Sequence, residues 1–202
     1  MFFCLTASLF SHPHTFIDSV VECEFNESGI SGFWINWSFD PMFATSIIMD
    51  FDRDKNGVFS KSEIKDIREN AFSNLENFNY FIYITENRKT RRPITVTNFS
   101  ASIVEDDIIY RFFVPYNSSA ADKQNSVIIA IYDETFFCDI SIKSVKTVPD
   151  DISDIFTIEK KIRINEEKTI KYDNAFQSIT RDGASYTGFV NPQEIVIRFS
   201  KK

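Results

Sequence analysis

Alternation of apolar and polar residues dominates the chain and predicts a β-rich fold. In residues 17–25 apolar side chains alternate with acidic ones, and the same period returns in residues 33–39 after the turn-like sequence NESG at 26–29. Because successive side chains of a strand point to opposite faces, the two runs predict a β-hairpin with one buried face. Further strand-like runs occur at 79–85, 94–104, 108–114, 126–132, 136–142, 158–164, 168–172 and 194–199.

One helical interruption, residues 40–78, lies between the first hairpin and the later strands. Asp40 followed by Pro41 is typical of a helix start, and Ser60 with Glu63 has the spacing of a capping box. Apolar residues then recur at helical spacing, at Ile64, Ile67, Ala71, Leu75 and Phe78. We therefore predict an α+β fold, mostly antiparallel β and sandwich-like, with an inserted helix-loop-helix of the EF-hand type.

The sequence DRDKNGVFSKSE at 52–63 lies between the two predicted helices and has the spacing of an EF-hand calcium loop. Calcium prefers oxygen ligands from alternate residues of a tight loop, with glycine at the sixth place and glutamate at the twelfth. Gly57 and Glu63 occupy those places, and Phe59 has the apolar eighth place, which packs inward. The predicted calcium ligands are Asp52, Asp54, Asn56, the Val58 carbonyl, Ser60 and Glu63.

Two alternatives qualify the calcium prediction. The loop could be an acidic turn that only caps a helix, or it could bind calcium as a structural element rather than as a sensor. Sensor EF-hands work as pairs that open a hydrophobic groove, and the sequence has no second loop of this kind. The sequence therefore favours a structural calcium site over a regulatory one.

The N-terminal sequence MFFCLTASLFS, residues 1–11, predicts an export signal. Its apolar run is too short to span a bilayer but is typical of the apolar region of a secretory signal. Ala7 and Ser11 are both small enough to precede a cleavage site, so two mature starts are open, and a buried first strand is the alternative. We expect a periplasmic or otherwise extracytoplasmic mature chain with no transmembrane helix.

The mature chain would keep Cys23 and Cys138, which could form a disulfide in an oxidising compartment or remain buried thiols. The sequence HPH follows the predicted signal and contains both histidines of the chain, His12 and His14. Histidine is the commonest protein ligand of transition metals, so the pair predicts a site for nickel, cobalt, zinc or copper. Asp18 and Asp133 are candidate carboxylate ligands, with Asp139 a further one. The alternative is a histidine pair that orders the start of the first strand.

Charge and the absence of common motifs narrow the classes of function. The net charge of −7 and the pI near 4.9 disfavour nucleic acids and anionic membranes as partners, because both are polyanions. The sequence contains no phosphate-binding glycine loop, no G-x-S-x-G and no C-x-x-C, and no histidine outside HPH that could complete a catalytic triad. We therefore predict a protein that is not an enzyme, with metal-assisted chemistry at the histidine site as the remaining enzymatic possibility.

Several motifs in this order resemble those of an uncharacterised bacterial family of exported proteins, a domain of unknown function. They are HPHTFID, WSFDPMF, DFDRDKNGVFSKSEI, NFNYFIYI and YDETFF, and the resemblance covers residues 12–145. Members are described as the periplasmic component of an ABC-type transport system and are often encoded beside nickel or cobalt permeases. The chain differs at Glu134, where the family commonly has proline, and in the length of its C-terminal region.

The combined hypothesis is an exported metal-binding accessory protein linked to transition-metal transport, with a structural calcium ion. Its expected partners are the metal ion and a membrane metal transporter. The alternatives are a calcium-dependent protein-interaction module without a transition-metal role, and a metalloenzyme that uses the N-terminal histidine. The predicted organisation is a signal at 1–11, a β domain at 12–145 with the EF-hand insert at 40–78, and a C-terminal β extension at 146–202.

Overall fold

The computed structural model describes residues 13–105, 107–120, 124–174 and 186–202, so the predicted signal and His12 lie outside the described residues. Within these ranges the chain forms twelve strands, two α-helices and two 3₁₀ helices. The helices are α1 (Pro41–Phe51), α2 (Lys61–Asn70) and the 3₁₀ helices Phe72–Phe81 and Asp150–Asp154. The strands are β1 (Thr15–Asn26), β2 (Gly29–Phe39), β3 (Ile82–Glu86), β4 (Lys89–Arg91), β5 (Thr97–Val104), β6 (Asp107–Ser119), β7 (Asn125–Ile131), β8 (Cys138–Val148), β9 (Phe156–Ile164), β10 (Ile170–Asn174), β11 (Tyr186–Val190) and β12 (Gln193–Lys201).

The described strands form two five-stranded sheets and one small hairpin. The first sheet has the order β5-β6-β2-β1-β8, the second has the order β4-β3-β7-β12-β9, and β10 pairs with β11. Neighbouring strands are antiparallel except β1 and β8, which run parallel. The prediction of a mostly antiparallel, β-rich α+β fold is confirmed.

Both large sheets and the helices contribute to a shared hydrophobic core. On β2 the predicted inward side chains Phe33, Ile35, Trp37 and Phe39 are all buried, which confirms the predicted phase of this strand. The second sheet adds β-branched residues from β7 and β12, such as Ile129 and Ile197. A one-residue slip would move every inward side chain to the other face, so the buried set fixes the register of the first hairpin.

Several predicted boundaries differ from the structure, and two of them have a clear physical reason. Strand β6 continues through 115–119, beyond the end of the strand-like run predicted at 108–114. Its neighbour β5 pairs only as far as Phe113, and Pro115 pairs with Gly32 of β2 next to a register shift, a place where a strand tolerates proline. The second predicted helix, with apolar residues from Ile64 to Phe78, ends as α2 at Asn70, because Ala71 leaves helical geometry. Its later apolar residues lie on a 3₁₀ helix.

Residues after 145 build part of the second sheet. Strand β12 lies between β7 and β9 and pairs with both. The side-chain Oε1 of Gln193 on β12 also accepts a hydrogen bond of 2.7 Å from the Ile142 amide on β8, which links the two large sheets. None of the helices in the described ranges has the length and apolarity needed to cross a bilayer.

The two described cysteines are free thiols at distant points of the first sheet. On the parallel β1–β8 ladder, Cys138 pairs with Thr15, and Cys23 pairs with Thr147. Their separation along the strands is about 26 Å, at about 3.3 Å per residue. A disulfide requires Cα atoms within about 7 Å, so these two cysteines do not form one in this fold.

Candidate metal centre

Helix caps position the two ends of the acidic loop. At the start of α1, Asp40 Oδ1 accepts hydrogen bonds from the amides of Met42 and Phe43, while its Oδ2 accepts one from Phe16 on β1 at 2.9 Å. This carboxylate therefore caps α1 and ties it to the first sheet. At the other end, Ser60 and Glu63 form the predicted capping box of α2.

Three carboxylates of the loop converge. Asp52, Asp54 and Glu63 each offer an oxygen atom, and these atoms lie within 4.8 Å of one another. Asp52 and Glu63 are buried, while Asp54 is exposed. Within the described ranges, this is the one group of at least three His, Cys, Asp or Glu side chains whose ligand atoms converge in this way.

Backbone amides hold the loop in its bent shape. Asp52 accepts hydrogen bonds from the amides of Asn56 (3.2 Å) and Gly57 (3.0 Å), so the chain folds back over this carboxylate. The bend places Lys55 and Gly57 at positive φ, +57° and +77°. Glycine at the sixth place thus adopts the left-handed conformation that the sequence pattern requires.

Glu63 joins the two ends of the loop. Its Oε2 accepts from the Ser60 amide at 2.8 Å and its Oε1 from the Arg53 amide at 2.9 Å. These backbone hydrogen bonds lower the pKa of the Glu63 carboxyl below its ordinary value, and the bond from Ser60 has the largest effect. Each carboxylate oxygen has more than one acceptor site, so both oxygens can still face a cation.

The loop contains three basic residues, Arg53, Lys55 and Lys61, but none of them forms an ion pair with its three carboxylates. The Arg53 guanidinium forms an ion pair of 2.6 Å with Asp66 on α2, outside the acidic group. Across the described part of the chain, no lysine or arginine forms an ion pair with Asp52, Asp54 or Glu63. A cation bound between the three carboxylates would relieve the repulsion among them.

Of the remaining predicted ligands, Asn56 and Ser60 contact this group through hydrogen bonds. Asn56 Nδ2 donates to Asp54 Oδ2 at 2.8 Å, and Asn56 Oδ1 accepts from the Val58 amide at 2.8 Å. Ser60 Oγ accepts from the Glu63 amide at 3.3 Å. Phe59, predicted to pack inward, is 6% exposed and belongs to the hydrophobic core.

Of the predicted transition-metal site, the structure describes His14, Asp18 and Asp133. His12 lies outside the described residues. His14 adjoins the turn before β8, where its amide donates to the Phe137 carbonyl at 2.8 Å and its ring lies 4.7 Å from the Phe137 ring. Asp18 is exposed on β1 and forms an ion pair of 3.0 Å with Lys143 on β8.

Asp133 organises the turn that follows β7. It is buried, and its Oδ1 accepts from the amide and hydroxyl of Thr135, both at 2.8 Å. Its Oδ2 accepts from the amides of Phe137 and Cys138, both at 3.1 Å. These bonds explain a structural need for aspartate in the sequence YDETFF. A metal role for His12, His14, Asp18 and Asp133 stays a prediction.

Sequence reasoning missed the role of Asp66. Its carboxylate forms the ion pair with the Arg53 guanidinium, and its side chain is 29% exposed. The available signal was its place on α2, one turn after Glu63, on the helix face that points toward the loop. The acidic charge of Asp66 alone does not indicate this ion pair, because acidic residues are frequent throughout the chain.

Comparison with known proteins places the chain in a family. Residues 1–187 match the family model described as "Protein of unknown function (DUF1007)". The chain is 33% identical over 94 residues to "Uncharacterized 15.5 kDa protein in trpE 3'region" from Spirochaeta aurantia. This match spans 46% of this chain and 66% of that protein, which is just under two thirds of its length. It is 21% identical over 195 residues to an uncharacterized protein from Haemophilus influenzae, covering 96% of this chain and 94% of that protein. The chain belongs to the DUF1007 family.

Proposed function

We propose that the protein binds one calcium ion in the loop from Asp52 to Glu63, which then acts as a lone EF-hand. The observation that carries this proposal is the approach of the Asp52, Asp54 and Glu63 oxygen atoms to within 4.8 Å of one another. Carboxylates repel at such distances unless a cation lies between them or they take up protons. The twelve-residue spacing supplies the further oxygen ligands of Asn56, Val58 and Ser60.

The chemistry of the donors favours calcium over other metals. All proposed ligands are oxygen atoms, which suit hard cations, whereas transition metals favour imidazole and thiolate. Calcium accepts six to eight oxygen ligands in flexible geometry at about 2.3 to 2.6 Å, while magnesium demands a near-ideal octahedron at about 2.0 to 2.1 Å. A loop that contributes both side-chain and backbone oxygens suits the larger ion.

The role we propose for calcium is structural. The loop joins α1 to α2, and both helices pack on the β core through Ala44, Ile47 and Ile67. The ion would connect the end of α1, at Asp52, to the first turn of α2, at Glu63. Its effect is to fix the helical insert on the sheet.

Isothermal titration with calcium, after removal of bound metal by EGTA, tests the proposal. The wild-type chain should bind one equivalent of calcium more tightly than magnesium. Glu63→Gln removes one charge from the ligand set with little change of shape, so it should weaken calcium binding at least about tenfold. Asp50→Asn removes the same charge from the exposed face of α1, two residues before the loop, and should change the affinity less than about threefold because surface charges are screened.

Two results would contradict the proposal. One is the absence of saturable calcium binding by the wild-type chain. The other is an equal loss of affinity in Glu63→Gln and Asp50→Asn, because net charge rather than coordination would then explain the binding. Transition-metal binding at His12 and His14, and a link to a membrane transporter, stay predictions that the same titration with nickel, cobalt, zinc and copper can address.

A further inference from the structure

The β3–β4 hairpin carries a cluster of basic residues in a chain whose net charge is −7. Arg88, Lys89, Arg91 and Arg92 lie within five consecutive positions, and all four residues are exposed. We call residues 88–92 the basic tip. Strand β4 forms one edge of the second sheet, with β9 at the opposite edge. The hairpin thus places four positive charges at one edge of this sheet.

The described carboxylates leave the basic tip without an ion pair. Across the described ranges, none of its four basic side chains forms an ion pair with an acidic residue. The neighbouring Glu86 accepts hydrogen bonds from two hydroxyls of β6, from Tyr116 at 2.9 Å and from Ser118. Glu86 therefore fastens the hairpin to the first sheet instead of pairing with the basic tip.

Two arginines of the basic tip lie over tyrosine rings. The guanidinium carbon of Arg91 is 5.0 Å from the centre of the Tyr116 ring, and that of Arg92 is 4.4 Å from the centre of the Tyr83 ring. Such cation–π contacts are attractive and restrict the side chain. Because a guanidinium carries five N–H donors, contact with a ring leaves donors for a further partner. The two arginines are therefore positioned and still able to bind an anion.

The hairpin and the end of β6 border a groove of about 390 Å³. Lys89, Arg91 and Arg92 line it on the hairpin side, while Tyr116 and Asn117 line it on the β6 side. None of its lining residues is aliphatic. Its volume is within the range of about 300 to 1,000 Å³ that is typical of binding sites, so a few side chains of a partner fit inside.

We propose that this groove binds an acidic, carboxylate-rich segment of a partner protein. A guanidinium matches the geometry of a carboxylate and donates to both of its oxygens at once. Lys89 adds a third positive charge beside Arg91 and Arg92. Because Glu86 fastens the hairpin to β6, the groove is formed before the partner arrives, which lowers the entropy cost of binding.

Two features favour an acidic peptide over a membrane surface as the partner. None of the exposed large apolar residues in the described ranges belongs to residues 82–91 or 115–119, so the site offers no apolar anchor for a bilayer. The net charge of −7 also repels an extended anionic surface. A short acidic segment instead meets mainly the local positive field, because charges beyond about 8 to 10 Å are screened at physiological ionic strength.

Fluorescence anisotropy with a dye-labelled hexaglutamate peptide tests this proposal, and a labelled hexaglutamine peptide is the uncharged reference. The wild-type chain should bind hexaglutamate saturably at one site and at least about tenfold more tightly than hexaglutamine, because only the carboxylates form charge-assisted hydrogen bonds with the arginines. Binding should weaken as sodium chloride is added, since salt screens the charges that meet in the groove.

Paired variants test the location. Arg91→Gln with Arg92→Gln should weaken hexaglutamate binding at least about tenfold, because two charge-assisted contacts are lost. Lys160→Gln with Lys161→Gln removes the same two charges from exposed positions of β9, at the opposite edge of the sheet, and should change the affinity less than about threefold. Arg91→Lys with Arg92→Lys keeps both charges but removes the planar guanidinium, and should weaken binding about three- to tenfold.

Absence of saturable hexaglutamate binding would overturn the proposal, as would equal weakening by the glutamine variants of the arginine pair and of the lysine pair. Wild-type affinity in Arg91→Lys with Arg92→Lys would overturn the assigned guanidinium contacts. Sedimentation with phosphatidylglycerol vesicles, or self-association of the chain, that depends on Arg91 and Arg92 while hexaglutamate does not bind would assign the groove to a lipid surface or to a second copy.

The titration is done in EGTA and repeated with calcium. Because no residue that lines the groove belongs to the acidic loop, a failure of calcium binding and a failure of peptide binding are separate results.

Discussion

Gly57 shows how one residue permits the loop geometry. Its φ is +77°, and a Cβ added there would meet no atom within 4 Å. A substitution therefore meets no steric obstacle from neighbours, and its cost comes from the left-handed backbone alone. We expect Gly57→Ala to lower the free energy of unfolding by about 1 kcal/mol.

Urea unfolding in EGTA measures this cost without calcium. Gly57→Asn is the matched control, because asparagine tolerates the left-handed region better than alanine and should cost less. If alanine and asparagine reduce stability equally, the backbone conformation of Gly57 is not the cause.

Also at the scale of single residues, an ion pair on the first sheet should make the stability of the fold depend on pH. Arg111 donates to both carboxylate oxygens of Glu22, at 3.0 and 2.9 Å. The hydrogen bonds from Arg111 lower the pKa of Glu22 below its ordinary value of 4.5 in the folded chain. The folded state therefore gains stability from the ionised carboxylate. This gain is complete above the pKa of the unfolded chain and is lost as pH falls through the lower folded value.

We therefore expect the urea midpoint of the wild-type chain to fall between pH 6 and pH 3 more steeply than that of Glu22→Gln, which has no carboxyl to protonate at this position. The comparison subtracts the contributions of the other acidic residues, which both chains share. Parallel curves for the two proteins would show that Glu22 has the same pKa in the folded and unfolded states.

Sequence spacing predicts the loop residues well because they are local. Asp52, Gly57 and Glu63 lie within one loop, and the geometry that unites them follows from a tight turn between two helices. The Arg53–Asp66 ion pair and the turn bonds of Asp133 do not follow from spacing. Both depend on side-chain directions, and the sequence pattern specifies only positions.

At the scale of elements, the cap of α2 can be tested apart from metal binding. Ser60 Oγ accepts from the Glu63 amide, while Ser62 is one of the first residues of the helix and only contacts Ser60 through its hydroxyl at 3.0 Å. Loss of an N-cap side chain costs about 1 kcal/mol. In EGTA, Ser60→Ala should lower the free energy of unfolding by about this amount, because the Glu63 amide loses its acceptor.

Ser62→Ala is the control, since it removes the same hydroxyl from a position that does not cap the helix, and it should change stability by less than about 0.5 kcal/mol. Urea unfolding of both variants gives the comparison. Equal losses in the two variants would mean that the capping bond contributes nothing beyond the contact between the two hydroxyls.

Element types follow from periodicity, but some element ends do not. The apolar stripe from Ile64 to Phe78 predicts one continuous helix, yet the chain leaves helical geometry at Ala71 and continues as a 3₁₀ helix. Positive φ values at Asn79, Tyr80 and Phe81 then redirect the chain into β3. These turns place Phe72 and Phe81 against the core, so tertiary packing overrides the local pattern.

At the scale of the whole molecule, topology is the least predictable property. The parallel pairing of β1 with β8 joins residues more than a hundred positions apart, such as Ile17 and Ile140. Alternation indicates that each run is a strand but does not identify its neighbour.

Calcium should raise the stability of the whole molecule. An ion that binds only the folded chain adds about 2.7 kcal/mol when its free concentration is a hundred times the dissociation constant. For a chain of this size, each kcal/mol moves Tm by about 2 to 4 °C, so we expect a rise of about 5 to 10 °C over the EGTA sample. Because the loop joins two helices that pack on the shared core, the stabilisation should appear as a shift of the cooperative transition rather than as a separate one.

Scanning calorimetry at several calcium concentrations provides the measurement. Tm should increase with the logarithm of free calcium in the wild-type chain. In Glu63→Gln the same rise should need at least about tenfold more free calcium, because a carboxylate ligand has become a neutral amide. A calcium-independent Tm in a wild-type chain that binds calcium by titration would mean that the ion binds the folded and unfolded chains equally. The loop would then bind calcium without fixing the helical insert, and the structural role would be wrong.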